Sequence, residues 1–151
     1  MEIMKPNVKP IPEGFHAVTP YLVVNDVSKL IDFLQRAFGA EEIHRSLLPD
    51  GSIIHAEVKI GDSPVMMGQA RDQWGPRPST LYLYVQDVDA LFRKAVEAGG
   101  KSLQEPKDQF YGDRSGGLED PCGNQWWIAT HIENVSHEES DRRFAAMAHQ
   151  H

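Results

Sequence analysis

The sequence repeats itself at an interval of 61 residues, and this repeat constrains the fold more than any other feature. Residues 21–40, YLVVNDVSKLIDFLQRAFGA, align without gaps on residues 82–101, YLYVQDVDALFRKAVEAGGK, and eight of the 20 positions are identical. The identities include Tyr, Asp and Gly, which the apolar spacing shared by any two strand–helix segments would not produce. The repeat indicates that the chain of 151 residues contains two copies of one supersecondary unit.

Each copy opens with a strand and a helix. The segments YLVV and YLYV are rich in the β-branched and aromatic residues typical of strands. Asp26 and Asp87 follow at the position of a helix N-cap, and apolar residues then recur with helical spacing. Gly39 and the pair Gly99–Gly100 mark where the two helices are predicted to end.

Three strand-like segments separated by turn residues follow each helix. They are EEIHRSLL, SIIHAEVKI and SPVMMGQ in the first copy, and KSLQEPKDQF, GDRSGGLE and NQWWIATH in the second. Each copy therefore reads β-α-β-β-β, and we predict an α+β fold with two tandem βαβββ modules. The predicted division is an extended arm at 1–15, one domain at 16–133 with modules at 19–69 and 80–131 and a linker at 70–79, and a C-terminal helix and tail at 134–151.

Composition and charge narrow the classes of function. With 40% hydrophobic and 25% charged residues, the chain fits a globular protein rather than a disordered one. The net charge of −7 argues against nucleic acid as a partner. Cys122 is the only cysteine, which excludes a disulfide within the chain and a zinc site built from several thiolates. No segment suits a signal peptide or a membrane span, so we expect no membrane partner and a cytoplasmic location.

Local motifs resemble one known family. TPYLVVNDV, a helix ending in FGAEE, HAEVKIGDS, YGDRSGG and DPCGNQWWIATH together resemble the vicinal oxygen chelate superfamily, which contains glyoxalase I, bleomycin resistance proteins and extradiol dioxygenases. The resemblance covers residues 16–133 and points to a branch of mostly uncharacterised glyoxalase/bleomycin resistance-like proteins. It implies that curved mixed sheets surround a central cavity and that the protein forms a homodimer.

The resemblance also implies a metal-binding position, but this sequence lacks suitable metal ligands there. In the metal-dependent members, side chains on the first and last strands of each module hold a divalent ion that acts as a Lewis acid. The corresponding positions here are Thr19, Thr80, Met66 and Trp127. A neutral hydroxyl, a thioether and an indole do not suit a hard cation, so we expect no metal and no cofactor there.

Strand alternation predicts which side chains line the cavity. Leu22 and Val24 form an aliphatic face that suits the helices, so the opposite face of the first strands is assigned to the cavity. The side chains on that face are Thr19, Tyr21, Thr80, Tyr82 and Tyr84. An aromatic and hydroxylated face is typical of a small-molecule pocket. The alternative is that these tyrosines fill the sheet interior or form a dimer contact.

Other candidates follow from the same alternation. Strand alternation in the segment SIIHAEVKI places Ile54 on the helix side and places His55 and Glu57 on the cavity side. His55 and Glu57 could act as an acid/base pair or a partial metal site, or they could form an ion pair on an exposed polar face. Trp127 suits either a pocket floor for stacking or ordinary core packing. Arg114 suits either an anionic ligand or a structural salt bridge.

These candidates lead to a prediction of function. The main hypothesis is a metal-free protein that sequesters a small aromatic or cationic compound, with Glu57 as the negative charge. The alternative is a lyase, isomerase or dioxygenase that uses a displaced divalent metal or His55 and Glu57, and a third is a structural or regulatory dimer. The catalytic residues are unassigned, and the expected partners are a small molecule and a second copy of the chain. The predicted ligand-binding residues are Thr19, Tyr21, His55, Glu57, Met66, Thr80, Tyr82, Tyr84, Arg114 and Trp127.

Overall fold

The computed structural model describes residues 7–148, so residues 1–6 of the predicted arm and 149–151 of the predicted tail lie outside the described part. Eleven elements follow one another along this part of the chain. They are β1 (Tyr21–Val24), α1 (Val27–Phe38), β2 (Glu41–Leu47), β3 (Ile53–Ile60), β4 (Ser63–Gln69), β5 (Thr80–Tyr84), α2 (Val88–Glu97), β6 (Lys101–Asp108), β7 (Asp113–Glu119), β8 (Gln125–His131) and α3 (His137–Ala148).

The strands form two four-stranded mixed sheets with the same topology. Their orders are β1-β4-β3-β2 and β5-β8-β7-β6, with β1 parallel to β4 and β5 parallel to β8. Tyr21 is paired with Met66, and Tyr82 is paired with Trp127, so the repeat interval holds in the register of both sheets. The predicted α+β fold of two tandem βαβββ modules is confirmed, and neither sheet closes into a barrel.

The two predicted N-caps start the helices. The Asp26 side chain accepts a hydrogen bond from the Lys29 amide at 3.0 Å, and the Asp87 side chain accepts one from the Ala90 amide at 3.1 Å. Gly39 ends α1 in the left-handed conformation with φ of 67°, which favours glycine. The identities in the repeat therefore include residues that set the helix boundaries.

The core lies between each helix and one face of its sheet. Leu30 and Leu34 of α1 are fully buried against the sheet face that carries Leu22 and Val24. The corresponding residues of the second module, Leu83 and Val85, are only half-buried, although they also pack against the core. Burial of each such aliphatic side chain stabilises the fold by about 1.5–3 kcal/mol, and this fixes which face of each sheet meets a helix.

The two modules meet through their helices. The main contact between them is α1 against α2, and the ring of Phe38 at the end of α1 lies 5.1 Å from the ring of Trp126. Arg36 donates from Nη2 to the Ala98 carbonyl at 2.9 Å. Asp120 accepts the Trp126 indole N–H at 2.9 Å and holds this ring in place. The main joint between the modules therefore lies on the helix side of both sheets.

One alternation prediction is wrong, because a bulge interrupts β3. Ile53, not Ile54, packs against the core, and Ile54 lies beside His55 at a pocket. The pairing with β2 shifts between Ser46 and Leu47, which leaves an extra residue in β3 at this point. A bulge inverts the alternation on its far side. His55 and Glu57, which follow it, keep their predicted side.

The C-terminal helix α3 lies outside the two modules. The Ser136 hydroxyl accepts a hydrogen bond from the Glu139 amide at 3.1 Å and caps the helix. Arg143 ties α3 to the second module by donating to the Phe110 carbonyl at 2.9 Å and to the carboxylate of Glu133. Within residues 7–148, no helix has the length and apolar character needed to cross a membrane.

Candidate functional site

The face of the first sheet opposite α1, called here the module-one face, carries a chain of hydrogen bonds. Tyr21 Oη lies 3.3 Å from His55 Nδ1, and His55 Nε2 lies 3.2 Å from Glu57 Oε2. A carboxylate only accepts hydrogen bonds, so the proton belongs on Nε2, and Nδ1 accepts from the tyrosine. This Tyr21–His55–Glu57 chain links a half-exposed hydroxyl to a more buried carboxylate.

A pocket of about 410 Å³ opens on the module-one face. Its walls come from β1, β3, β4 and the segment that joins the two modules. This volume falls within the range of roughly 300–1,000 Å³ that is usual for small-molecule sites. The lining residues are Tyr21, Val23, Ile54, His55, Gly68, Gln69, Arg71 and Trp74.

The segment between the modules contributes one wall of this pocket. Arg71 and Trp74 exchange two backbone hydrogen bonds of 2.8 and 2.7 Å, which close a tight turn with Asp72 at φ of 47°. Asp tolerates this left-handed conformation better than most residues. The Arg77 amide donates to the Val23 carbonyl at 3.0 Å and fastens the segment along β1. The turn thus brings Trp74 and Arg71 to the wall of the pocket.

A glycine makes room for Tyr21 in the pocket. A Cβ atom added at Gly68 would lie 2.5 Å from Tyr21 Oη and 3.1 Å from the ring edge. The tyrosine side chain therefore lies across β4 at the one position where no side chain opposes it. Gly68 is paired with Val23 on β1 and with His55 on β3, which places it between the two other walls of the pocket.

The second sheet carries a different polar cluster on its corresponding face, called here the module-two face. Asp113 is buried, and its Oδ2 accepts hydrogen bonds from the hydroxyls of Tyr82 and Tyr84, each at 2.8 Å. Its Oδ1 lies 2.8 Å from His131 Nδ1, and His131 Nε2 lies 2.9 Å from Asn134 Oδ1. One buried carboxylate thus organises two tyrosines and a histidine.

The hydrogen bonds to Asp113 shift the pKa values of the cluster. Burial by itself raises the pKa of Asp113, but the bonds from His131, Tyr84 and Tyr82 outweigh it and hold this pKa below its ordinary value. The pKa of Tyr82 is raised by burial and by its bonds to Tyr111 and Asp113, and that of Tyr84 is raised by its bond to Asp113. The bonds to Asp113 and Asn134 raise the pKa of His131.

We expect the imidazole of His131 to titrate above the ordinary value of 6.5. The fold favours the protonated ring, so the Asp113–His131 pair stabilises the protein below the pKa of an unfolded histidine. That stabilisation is lost as the pH rises through the raised pKa. An NMR titration of the His131 ring measures the midpoint, and the Asp113→Asn variant should lower it. A midpoint at or below 6.5 in the unmodified protein would contradict the hydrogen-bond assignment.

The predicted site residues of the first module mostly meet on the module-one face. Tyr21 and His55 line the pocket, whereas Glu57 lies behind His55 as its hydrogen-bond partner. Met66 is paired with both Tyr21 and Glu57 and shares their face, but it is not a lining residue. Thr19 precedes β1, and its hydroxyl lies 3.5 Å from the His16 carbonyl.

The predicted site residues of the second module do not join the pocket. Tyr82, Tyr84 and Trp127 lie on the module-two face, and Thr80 is exposed at the start of β5. Arg114 is bound elsewhere, since Asp89 of α2 accepts from its Nε and Nη2, each at 2.9 Å. The guanidinium therefore forms a structural salt bridge, which was one of the two alternatives for this residue. A contact with a ligand stays a prediction from the sequence.

The residues that the motif resemblance aligns with the superfamily's metal position do not fit a divalent ion. Met66 offers a thioether, and the Trp127 ring lies flat over Gly117 with its indole N–H directed to Gln125 Oε1 at 3.4 Å. Neither atom is a ligand for a hard cation, and a threonine hydroxyl is a weak one. Across the described residues 7–148, no three His, Cys, Asp or Glu side chains lie close enough together to hold a metal.

Sequence reasoning missed several residues that the fold brings to these faces. Trp74 and Arg71 were assigned only to a linker, and nothing in their spacing signals the turn that places them. Asp113 could have been found, because the tight turn after Glu119 sets the register of β7 on β8 and pairs Asp113 with His131. Residues paired in this way project to the same face of a sheet.

Comparison with known proteins agrees with the fold and the repeat. The sequence model of the Glyoxalase/Bleomycin resistance protein/Dioxygenase superfamily matches residues 14–128. The chain belongs to this superfamily, as the resemblance of its motifs predicts. Membership defines a fold, but it does not by itself assign a reaction.

Individual relatives support the same conclusion. An uncharacterised protein of Mycobacterium tuberculosis is 36% identical over 149 residues, which covers 91% of this chain and 84% of that protein. The crystal structure of TioX from Micromonospora sp. ML1 matches with a TM-score of 0.67 and 26% identity, over 76% of this chain and 97% of TioX. A superfamily enzyme from Burkholderia phytofirmans has a TM-score of 0.61 at 22% identity, over 74% of this chain and 95% of the enzyme, and this likeness concerns the fold alone.

Proposed function

We propose that the protein binds a flat aromatic small molecule in the module-one pocket and that it needs no metal to do so. The observation that carries this proposal is the pocket itself, in which Tyr21 and Trp74 provide two accessible aromatic rings. Each aromatic contact with a planar ligand adds about 0.5–1.5 kcal/mol beyond the burial of its area. The donors at the superfamily's metal position are unsuited to a cation, which favours binding without one.

The geometry favours an aromatic ligand over a cationic one in this pocket. Glu57 was expected to supply the negative charge for a cation, but its carboxylate is engaged with His55 and does not line the cavity. Arg71, a cationic residue, lies at the wall instead. The lining of the pocket thus includes a cationic residue and no carboxylate, which disfavours a cationic ligand.

Calorimetric titration with 2-naphthol, a flat and neutral probe, tests the proposal. Protein treated with EDTA should bind the probe saturably, and added Mn²⁺, Ni²⁺ or Zn²⁺ should leave the affinity unchanged. The reason is that the aromatic walls of the pocket come from the protein alone. Binding that appears only after metal is added would overturn the proposal and favour a metal-dependent enzyme.

The Gly68→Ala variant should weaken 2-naphthol binding severalfold while the fold remains intact. The added Cβ would lie 2.5 Å from Tyr21 Oη, so the tyrosine ring must move out of its place in the wall. The far end of a side chain yields at little cost, and circular dichroism should show an unchanged fold. Gly75→Ala is the matched control, because a Cβ there meets no atom within 4 Å. Equal losses in the two variants would contradict the assigned role of Tyr21.

A second candidate function is proton transfer, which the Tyr21–His55–Glu57 chain favours. In this chain a carboxylate orients a histidine, and the histidine accepts a hydrogen bond from a tyrosine hydroxyl. Such an arrangement suits a general base. The test is exchange of the methyl protons of 2-acetylnaphthalene in D₂O, followed by NMR. Exchange accelerated by the protein and lost in Glu57→Gln would support an enzyme. An unaccelerated rate in both proteins would leave binding as the function.

We also propose that the protein forms a homodimer in solution. The C-terminal helix α3 exposes large apolar side chains away from both proposed binding sites, with Phe144 57% and Met147 43% accessible. Exposed apolar surface of this kind is typical of a protein–protein contact. Light scattering should give about twice the chain mass of 17.0 kDa, and a value of 17.0 kDa at micromolar concentration would refute the dimer. A cytoplasmic location stays a prediction from the sequence.

A further inference from the structure

The three tyrosines of the module-two face direct all their hydroxyl protons inward. Tyr82 and Tyr84 both donate to Asp113 Oδ2, which is an ionised acceptor. Tyr111 Oη lies 3.3 Å from Tyr82 Oη, and because the Tyr82 proton is already committed, Tyr111 must be the donor in this pair. The three hydroxyl oxygens therefore keep only lone pairs for a ligand.

The other donors on this face are also used within the chain. His131 directs Nδ1 to Asp113 and Nε2 to Asn134 Oδ1. The Trp127 indole N–H points to Gln125 Oε1. The tyrosines, His131 and Trp127 thus present oxygen lone pairs and aromatic ring faces, and none of these five side chains keeps a free donor. Such side chains offer no hydrogen bond to an anion, which needs donors, whereas they suit a positively charged group.

We propose that the module-two face is a second binding site, separate from the module-one pocket, and that its ligand is an organic ammonium cation. The rings of Tyr82 and Tyr84 lie 5.2 Å apart with their planes inclined at 58°, which forms an open corner of two ring faces. A cation over an aromatic ring is attracted by the negative face of the π system. Both hydroxyls donate to the buried carboxylate of Asp113, so the oxygen, which is the negative end of each O–H dipole, points away from that carboxylate.

The first module lacks this arrangement. At the repeat interval, Tyr82 corresponds to Tyr21, but Tyr84 corresponds to Val23. The hydroxyl of Tyr21 points to His55 rather than to a carboxylate. The two halves of the chain therefore differ in the ligand chemistry that they offer, although they share one fold.

Titration with tetramethylammonium chloride tests the second site, with tert-butanol as a neutral probe of similar shape and with ionic strength held constant by sodium chloride. We expect the ring resonances of Tyr82 and Tyr84 to shift saturably with the cation and to respond much less to tert-butanol. The indole resonance of Trp74, in the module-one pocket, should not move. Equal responses to both probes, or no response to the cation, would overturn the proposal.

Two variants locate the binding. Tyr84→Val installs the residue that occupies the equivalent place in the first module, and loss of one ring face should weaken tetramethylammonium binding about twofold to fivefold. The fold should remain intact because valine suits a strand and Tyr84 is largely exposed. Tyr21→Leu is the control and should leave the affinity unchanged. A loss in Tyr21→Leu that equals the loss in Tyr84→Val would contradict a site on the module-two face.

Discussion

Replacement of Trp126 by alanine is expected to lower the free energy of unfolding by about 3–5 kcal/mol, the usual cost of truncating a buried aromatic residue. The side chain is 2% exposed and packs against Phe38 at the joint between the modules. Its loss leaves a cavity there and removes the indole donor of the buried Asp120 carboxylate. Urea unfolding followed by circular dichroism measures the change.

The adjacent residue provides the control for this prediction. Trp127 has the same side chain, but it projects to the opposite face of β8 and is only half-buried over Gly117. Trp127→Ala should therefore cost less than half as much stability as Trp126→Ala. If the two variants lose equal stability, the helix-side joint is not what holds the modules together.

Removal of both rings from the module-one pocket, in the double variant Tyr21→Ala and Trp74→Ala, should weaken 2-naphthol binding more than tenfold. Two aromatic contacts of about 0.5–1.5 kcal/mol each are lost, together with the apolar area that they bury. The variant should fold, because Tyr21 is 51% and Trp74 is 59% exposed. Calorimetric titration gives the affinity.

The matched control for the pocket is the double variant Tyr82→Ala and Trp127→Ala in the second module. Neither residue lines the pocket, so 2-naphthol should bind this variant with unchanged affinity. An equal loss in both double variants would mean that the two faces share one cavity in the assembled protein. That outcome would support a single central cavity lined by both modules, which strand alternation and the superfamily resemblance imply.

Much of the fold could be predicted from the sequence because its signals are local. Asp26 and Asp87 cap their helices through bonds that span three residues, and Leu22 and Val24 face α1 because alternation dictates it. The bulge at Ile54 could not be foreseen, since it depends on how β2 pairs with β3.

The site was harder to predict because tertiary packing decides which faces meet. Alternation placed Tyr21 and Tyr82 correctly on their sheets, but it does not specify whether these two faces enclose one cavity. The contact of Phe38 with Trp126 joins the modules on the helix side and leaves each tyrosine face with its own cluster. Trp74 enters the pocket through a turn in a segment without any periodic pattern.

The most direct test of the proposed metal-free pocket is the ¹H–¹⁵N NMR spectrum of the three tryptophan indole groups during titration of EDTA-treated protein with 2-naphthol. The indole resonance of Trp74 should shift saturably, because this ring forms the exposed wall of the pocket. The resonance of Trp126 should stay in place, because that ring is buried at the module joint. A titration in which Trp74 does not move, or moves only after a divalent metal is added, would contradict the account.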